Sequence, residues 1–102
     1  MSSPGGGPLI KIVTVGVDAN GNPTCNPMDV DLWSTEGDTM KWHSSGIAFL
    51  ITFDSGSPFT ESRFSGPSAS SGAIRPGVSG SFKYSVNVAG KILDPKVGIH
   101  PP

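Results

Sequence analysis

The chain has 102 residues and a formal net charge of -1, and 15% of its residues are charged, below the roughly 25% usual for soluble proteins. This length fits a single domain. The 14 glycines and 10 prolines are spread along the chain and exclude a strongly helical protein, because these residues are the two poorest helix formers. The 7 basic and 8 acidic residues leave no positive field for phosphates, so we expect no nucleic-acid partner.

The N-terminal segment, residues 1–8, is rich in glycine and proline and predicts a flexible leader before a domain at residues 9–102. It has neither the basic nor the apolar region of a secretion signal. The sequence as written therefore predicts a cytoplasmic protein, with export by another route as the alternative. It contains no run of about 18 apolar residues, so we expect no membrane insertion.

Hydrophobic patterning in the first half of the chain predicts β-strands. Residues 9–17 are rich in β-branched side chains, and the turn-forming pair Asn20-Gly21 follows them. Residues 28–32 and 39–43 alternate apolar and polar side chains, the period of half-buried strands. Residues 47–53 are the most apolar run and predict a central strand.

Two aspartates, Asp29 and Asp31, lie on the same face of one of these predicted strands. Paired carboxylates can carry out acid–base chemistry or bind calcium. Neither a third carboxylate nor a calcium-loop pattern follows them, so we interpret this face as solvated.

The second half begins with a Ser-, Gly- and Pro-rich excursion over residues 55–79, which Phe59 and Phe64 are expected to attach to the core. Ser57-Pro58 in this excursion predicts the start of one helical turn. Residues 80–88 then alternate cleanly, and residues 96–100 predict the last strand.

These patterns predict an all-β fold, an antiparallel Greek-key β-sandwich of about six to seven strands. The side chains on the apolar faces of these strands form the predicted core. They are Ile10, Ile12, Val30, Leu32, Met40, Trp42, Phe49, Ile51, Phe53, Phe82, Tyr84, Val86, Val97 and Ile99.

Several stretches resemble the cupredoxin family, the small blue-copper β-sandwiches. Gly-Asp-Thr-Met-Lys-Trp at residues 37–42, followed by Phe-Leu-Ile-Thr-Phe at 49–53, is similar to the family's Trp-containing strand and the strand after it. Residues 80–86 and 96–99 resemble its last two strands. The resemblance covers residues 9–99 and implies a cupredoxin-like fold, with similarity to small bacterial proteins of this kind.

A cupredoxin binds copper through two His, one Cys and usually a weak axial Met. The resemblance places Phe49 at the position of the first His and Val86 at that of the Cys. Residues 87–94 contain neither the second His nor the Met. The resemblance therefore implies a scaffold without the type-1 copper site, and we expect no cofactor.

An alternative is a metal-binding or electron-transfer protein with a relocated site built from His43, His100, Cys25 and Met40. We interpret the two histidines as exposed side chains. As the only cysteine, Cys25 excludes an internal disulfide and predicts a small, partly buried residue in a turn, with metal ligation or an intermolecular bridge as alternatives. The sequence contains no Gly-x-Ser-x-Gly motif, and no His–Asp pair is placed to activate a serine nucleophile. We therefore expect no enzyme activity.

The first functional hypothesis is a non-enzymatic binding or self-assembly module whose partner is a protein, foremost another copy of the chain. An extended leader can pair with a sheet edge of another subunit, and a low charge opposes self-association weakly. A module that binds a protein or glycan through its loops is a further alternative. The candidate interface residues are Ser2, Pro4, Leu9, Trp33, Phe59, Phe64 and Ile74.

Overall fold

The computed structural model describes residues 9–100 and confirms the all-β class. Eleven strands and one single-turn 3₁₀ helix at Ser34–Glu36 lie within this range. The strands are β1 (Ile10–Val17), β2 (Pro23–Asn26), β3 (Asp29–Trp33), β4 (Thr39–Ser44), β5 (Phe49–Thr52), β6 (Arg63–Gly66), β7 (Ser68–Ser70), β8 (Gly80–Lys83), β9 (Ser85–Val88), β10 (Lys91–Leu93) and β11 (Lys96–His100). There are more strands than predicted, because residues 80–88 divide into two, the excursion contributes two of its own, and β2 and β10 form outside the predicted strands.

These strands form three sheets that pack as a sandwich. The first sheet has the order β2-β1-β4-β7, the second β10-β9-β5-β6 and the third β3-β11-β8. The prediction of an antiparallel arrangement is wrong for two pairs, because β1 and β4 run parallel, as do β3 and β11. Local alternation reveals a strand but not the direction of its neighbour, which depends on how distant segments cross over. The Greek-key connection stays a prediction.

The turn predicted at Asn20-Gly21 joins β1 to β2. Gly21 has a φ of 79°, and its N–H donates to the carbonyl oxygen of Asp18 at 3.0 Å. The Asp18 carboxylate accepts the N–H groups of Asn20 at 2.9 Å and Asn22 at 3.0 Å. These bonds favour the ionised carboxylate and hold the pKa of Asp18 below its ordinary value of 3.8.

The hydrophobic core centres on a group of aromatic rings. The Trp42 ring lies 5.1 Å from that of Phe64 and 5.6 Å from that of Tyr84, centroid to centroid. Phe53 packs on Tyr84 at 5.1 Å and on Phe59 at 5.9 Å. Eleven of the predicted core side chains are buried, namely Val30, Leu32, Met40, Trp42, Phe49, Ile51, Phe53, Tyr84, Val86, Val97 and Ile99.

The predicted core is wrong at β1 and incomplete at β8. Ile10 and Ile12 are 66% and 57% exposed, whereas Val13 and Val15 are fully buried. Both faces of this strand carry apolar side chains, so its alternation does not identify the inner face. The pairing with β4 does, because it sets Val13 beside the buried Trp42. Phe82 is only partly buried and packs against the core from β8.

The excursion is attached to the core through side chains and contains no helical turn at Ser57-Pro58, where one was predicted. The hydroxyl of Ser57 instead accepts the N–H of Phe59 at 3.0 Å and donates to the carbonyl oxygen of Glu61 at 2.6 Å. The Arg75 guanidinium donates to the carbonyl oxygens of Ser57 and Phe59. Since the hydroxyl holds a tight turn of its own, no helix follows.

Candidate functional site

The interior around Phe49 and Val86 is filled with hydrocarbon. Phe49 is 4% exposed on β5 and Val86 is fully buried on β9, where it pairs with Ile51. The Phe49 ring lies so close to Gly66 that a Cβ atom there would be 2.2 Å from the ring Cζ. Only a glycine therefore fits opposite this ring. Apolar atoms thus occupy both positions that the family resemblance compares with copper ligands.

The structure does not bring the four residues of the alternative metal site together. Cys25 and Met40 are buried on the inner face of the first sheet. His43 lies exposed on its outer face, because it pairs with Thr14, the neighbour of the buried Val15. His100 belongs to the third sheet. Within residues 9–100, no group of three or more His, Cys, Asp or Glu side chains could hold a metal ion.

Burial alters the chemistry of two core side chains. It raises the pKa of the Cys25 thiol from 9.0 to about 11, and it raises the pKa of Tyr84 above its ordinary value of 10.0. A thiolate rather than a thiol is the metal ligand and nucleophile, so the Cys25 sulfur is a poor reagent at neutral pH. Among the described residues, neither the Tyr84 hydroxyl nor the Trp42 indole nitrogen makes a hydrogen bond of regular geometry, and the weak polar interaction between the two lowers the pKa of Tyr84 by less than burial raises it.

A polar and aromatic cluster lies on the outer face of the third sheet. The His100 ring stacks on the Trp33 indole with centroids 4.4 Å apart and planes inclined by 16°. The His100 Nε2 lies 3.0 Å from the Asp31 Oδ1. The Lys11 Nζ lies 5.8 Å from the centroid of the Trp33 ring, within the range of a cation–π contact. The tryptophan ring thus contacts both an imidazole and an ammonium group.

A groove of about 400 Å³ runs beside this cluster on the same sheet. Its walls include Asp31, His100 and Lys96, and Gly98 and Ser81 line it where β11 and β8 pair. A Cβ atom at Gly98 would lie 3.0 Å from the Asp31 Oδ1, so the glycine leaves room for that carboxylate to reach across β11.

A second groove of about 290 Å³ lies between β1 and β3. Its apolar lining comes from Ile12, Pro27 and Trp33, and Asp29 and Asp31 border it. Both aspartates also border the first groove, so β3 forms a ridge between the two. The solvated aspartate face expected from the sequence thus flanks two recesses, in which apolar and charged groups stand side by side.

The candidate interface residues divide by exposure. Leu9 is 38% exposed, while Trp33, Phe64 and Ile74 are half-buried, the last two packed against the core. Phe59 is 1% exposed and packs within the core, which leaves almost none of its ring for a partner to contact. Ser2 and Pro4 lie outside the described residues, as does the whole of the predicted leader.

Sequence reasoning missed the two grooves, although part of the signal was present. The alternation of β11 places Lys96, Gly98 and His100 on one face, and that of β3 places Asp29, Asp31 and Trp33 on one face. What the sequence did not reveal is that β3 and β11 are parallel neighbours in register, which sets Asp31 opposite Gly98 and His100 opposite Trp33.

The sequence matches no protein-family model and no curated protein. Among residues 9–100, no helix has the length and apolar character needed to cross a membrane.

Proposed function

We propose that this protein is a non-enzymatic binding or self-assembly module built on a cupredoxin-like scaffold without a type-1 copper site. The observation that carries the proposal is the packing of Phe49 and Val86, both buried in the sandwich interior. In the family that the sequence resembles, ligand chemistry is located at these positions. Here that chemistry is replaced by close-packed hydrocarbon, which holds a scaffold together but coordinates nothing.

The polar, charged and aromatic side chains that could recognise a partner lie instead on the outer surface of the sandwich. Trp33, His100 and Asp31 form a connected cluster, and two grooves lined by both apolar and charged residues adjoin it. Aromatic anchors surrounded by a polar rim are the usual anatomy of protein interfaces. This arrangement favours recognition of another protein over chemistry on a small molecule.

Analytical ultracentrifugation of the full chain and of a variant that lacks residues 1–8 tests self-assembly. We expect the full chain to associate as its concentration rises from low to high micromolar. Loss of association in the shortened variant would assign the contact to the leader, whereas retention would assign it to the sandwich. Strictly monomeric behaviour of both chains at high micromolar concentration would refute self-assembly.

Calorimetric titration of the full chain with Cu²⁺ and with Zn²⁺ tests the metal alternative. We expect no saturable heat from either ion, because the four candidate ligands lie apart. Saturable binding that is lost in a His43→Ala/His100→Ala variant would favour the metal-binding function over the one proposed here.

A further inference from the structure

Among residues 9–100, no strand pairs with one edge of the first half of β1. On one side β1 pairs with β4 along residues 10–15, but on the other side it pairs with β2 only along residues 14–17. The chain then leaves the first sheet after Asn26 and joins the third sheet as β3. Within the described residues, no strand therefore meets residues 10–13 on that side. An open edge offers backbone N–H and C=O groups to another strand.

The same half-strand presents apolar side chains to solvent. Ile10 and Ile12 are 66% and 57% exposed, and Leu9 before them is 38% exposed. Exposed apolar side chains that lie together on one strand, next to an open edge, are typical of contact surfaces. Ile12 also lines the second groove, so the apolar surface continues from the strand into the recess that contains Pro27 and Trp33.

Charge in this region is self-complementary. The half-strand carries Lys11, and Lys41 lies beside Ile12 on the outer face of the first sheet. The opposite wall of the second groove carries Asp29 and Asp31, both exposed. In a two-fold dimer each copy offers the same surface, so the lysines of one copy meet the aspartates of the other.

We propose that a second copy of this chain docks at the open half of β1, pairing its own residues 10–13 antiparallel to them across the second groove. The inference rests on the proposed function and names its surface and partner. Each Ile12 enters the apolar groove of the other copy, and each Lys11 approaches the other copy's Asp29 and Asp31. The two first sheets then form one continuous sheet through β1.

The main test compares Ile12→Lys with Ile92→Lys by sedimentation of the full chain. Ile92 is a matched control because it is 60% exposed on β10, in the second sheet. We expect Ile12→Lys to raise the dimer dissociation constant at least about tenfold, because it places a cation in an apolar contact, and Ile92→Lys to leave it unchanged. Thermal unfolding of both variants checks that each is folded.

A charge exchange gives a second, independent test. Lys11→Glu sets like charges against each other across the dimer and should weaken it, and the double variant Lys11→Glu/Asp31→Lys should restore association. Amide hydrogen exchange supplies the structural readout, with protection of residues 10–13 rising as protein concentration rises.

Association that persists in Ile12→Lys, or concentration-dependent protection elsewhere than residues 10–13, would overturn this interface while leaving self-assembly standing. A wild-type chain that stays monomeric at high micromolar concentration would overturn both. Dimers in the wild type that are lost only in Ile12→Lys and Lys11→Glu support the proposal.

Discussion

Cys25 illustrates how the position of one side chain sets its chemistry. The sequence predicted a small, partly buried residue in a turn, with metal ligation as an alternative. The structure places it on β2, 7% exposed, on the inner face of the first sheet. Its raised pKa follows from burial alone, since the core disfavours the thiolate. Alternation around Cys25 is too weak to show this, because Pro23, Thr24 and Asn26 are not core residues by type.

The thiol of Cys25 should react slowly in the folded protein. At pH 8 a group with a pKa of about 11 is ionised about a hundredfold less than one at its ordinary 9.0. We expect labelling by a thiol reagent to be at least about a hundredfold slower in the native protein than in urea. Equal rates in the two states would show that the sulfur is not buried.

The same pKa shift has a consequence for stability above neutral pH. Because the folded state favours the neutral thiol, Cys25 makes its full contribution to the free energy of unfolding below pH 9.0. This contribution decreases as the pH rises from 9.0 toward about 11, because the thiol then ionises in the unfolded chain while it stays neutral in the folded protein.

At the scale of single elements, the sequence was informative wherever only one face of a strand is apolar. In β4, Met40 and Trp42 are buried and Lys41 and His43 are exposed, as the alternation predicted. In β1 the two faces do not differ in this way, and the prediction was wrong. The candidate site follows the same rule: Trp33 was recognised, but its contact with His100 and the first groove depend on the pairing of β3 with β11, two segments far apart in the sequence.

Substitution by threonine tests the orientation of β1. Val13→Thr buries a hydroxyl and should lower the free energy of unfolding by about 1–3 kcal/mol. Ile12→Thr, which keeps the β-branch at an exposed position, should change it by no more than about 0.5 kcal/mol. Urea unfolding at concentrations below self-association measures both, and a larger loss for Ile12→Thr would mean that the strand faces the other way.

At the scale of the whole molecule, the carboxylate of one residue, Asp38, links the first sheet to the third through hydrogen bonds. Asp38 is fully buried just before β4. Its Oδ1 accepts the N–H of Leu9, just before β1, and its Oδ2 accepts the N–H of Trp33, at the end of β3, each at 3.1 Å. The sequence showed a turn at this position but could not show that a buried carboxylate joins three segments.

Asp38→Ala should therefore destabilise the entire fold. Two backbone N–H groups lose their acceptor in partly buried hydrogen bonds, and the loss of each such bond costs about 1–3 kcal/mol, so we expect a decrease of about 2–4 kcal/mol in the free energy of unfolding. The exposed Asp54 supplies the control, with Asp54→Ala expected to change stability by less than about 0.5 kcal/mol. Similarly small changes in the free energy of unfolding for Asp38→Ala and Asp54→Ala would show that Asp38 does not link the two sheets.

Several short stretches of backbone connect strands that belong to different sheets. The chain passes from β2 in the first sheet directly into β3 in the third, and from β8 in the third into β9 in the second. Because these links are short, separating one sheet from the sandwich also displaces the adjoining strand of another sheet. The protein should therefore unfold in a single cooperative step on heating or in denaturant. A substitution that disrupts either of these crossings should destabilise all three sheets together.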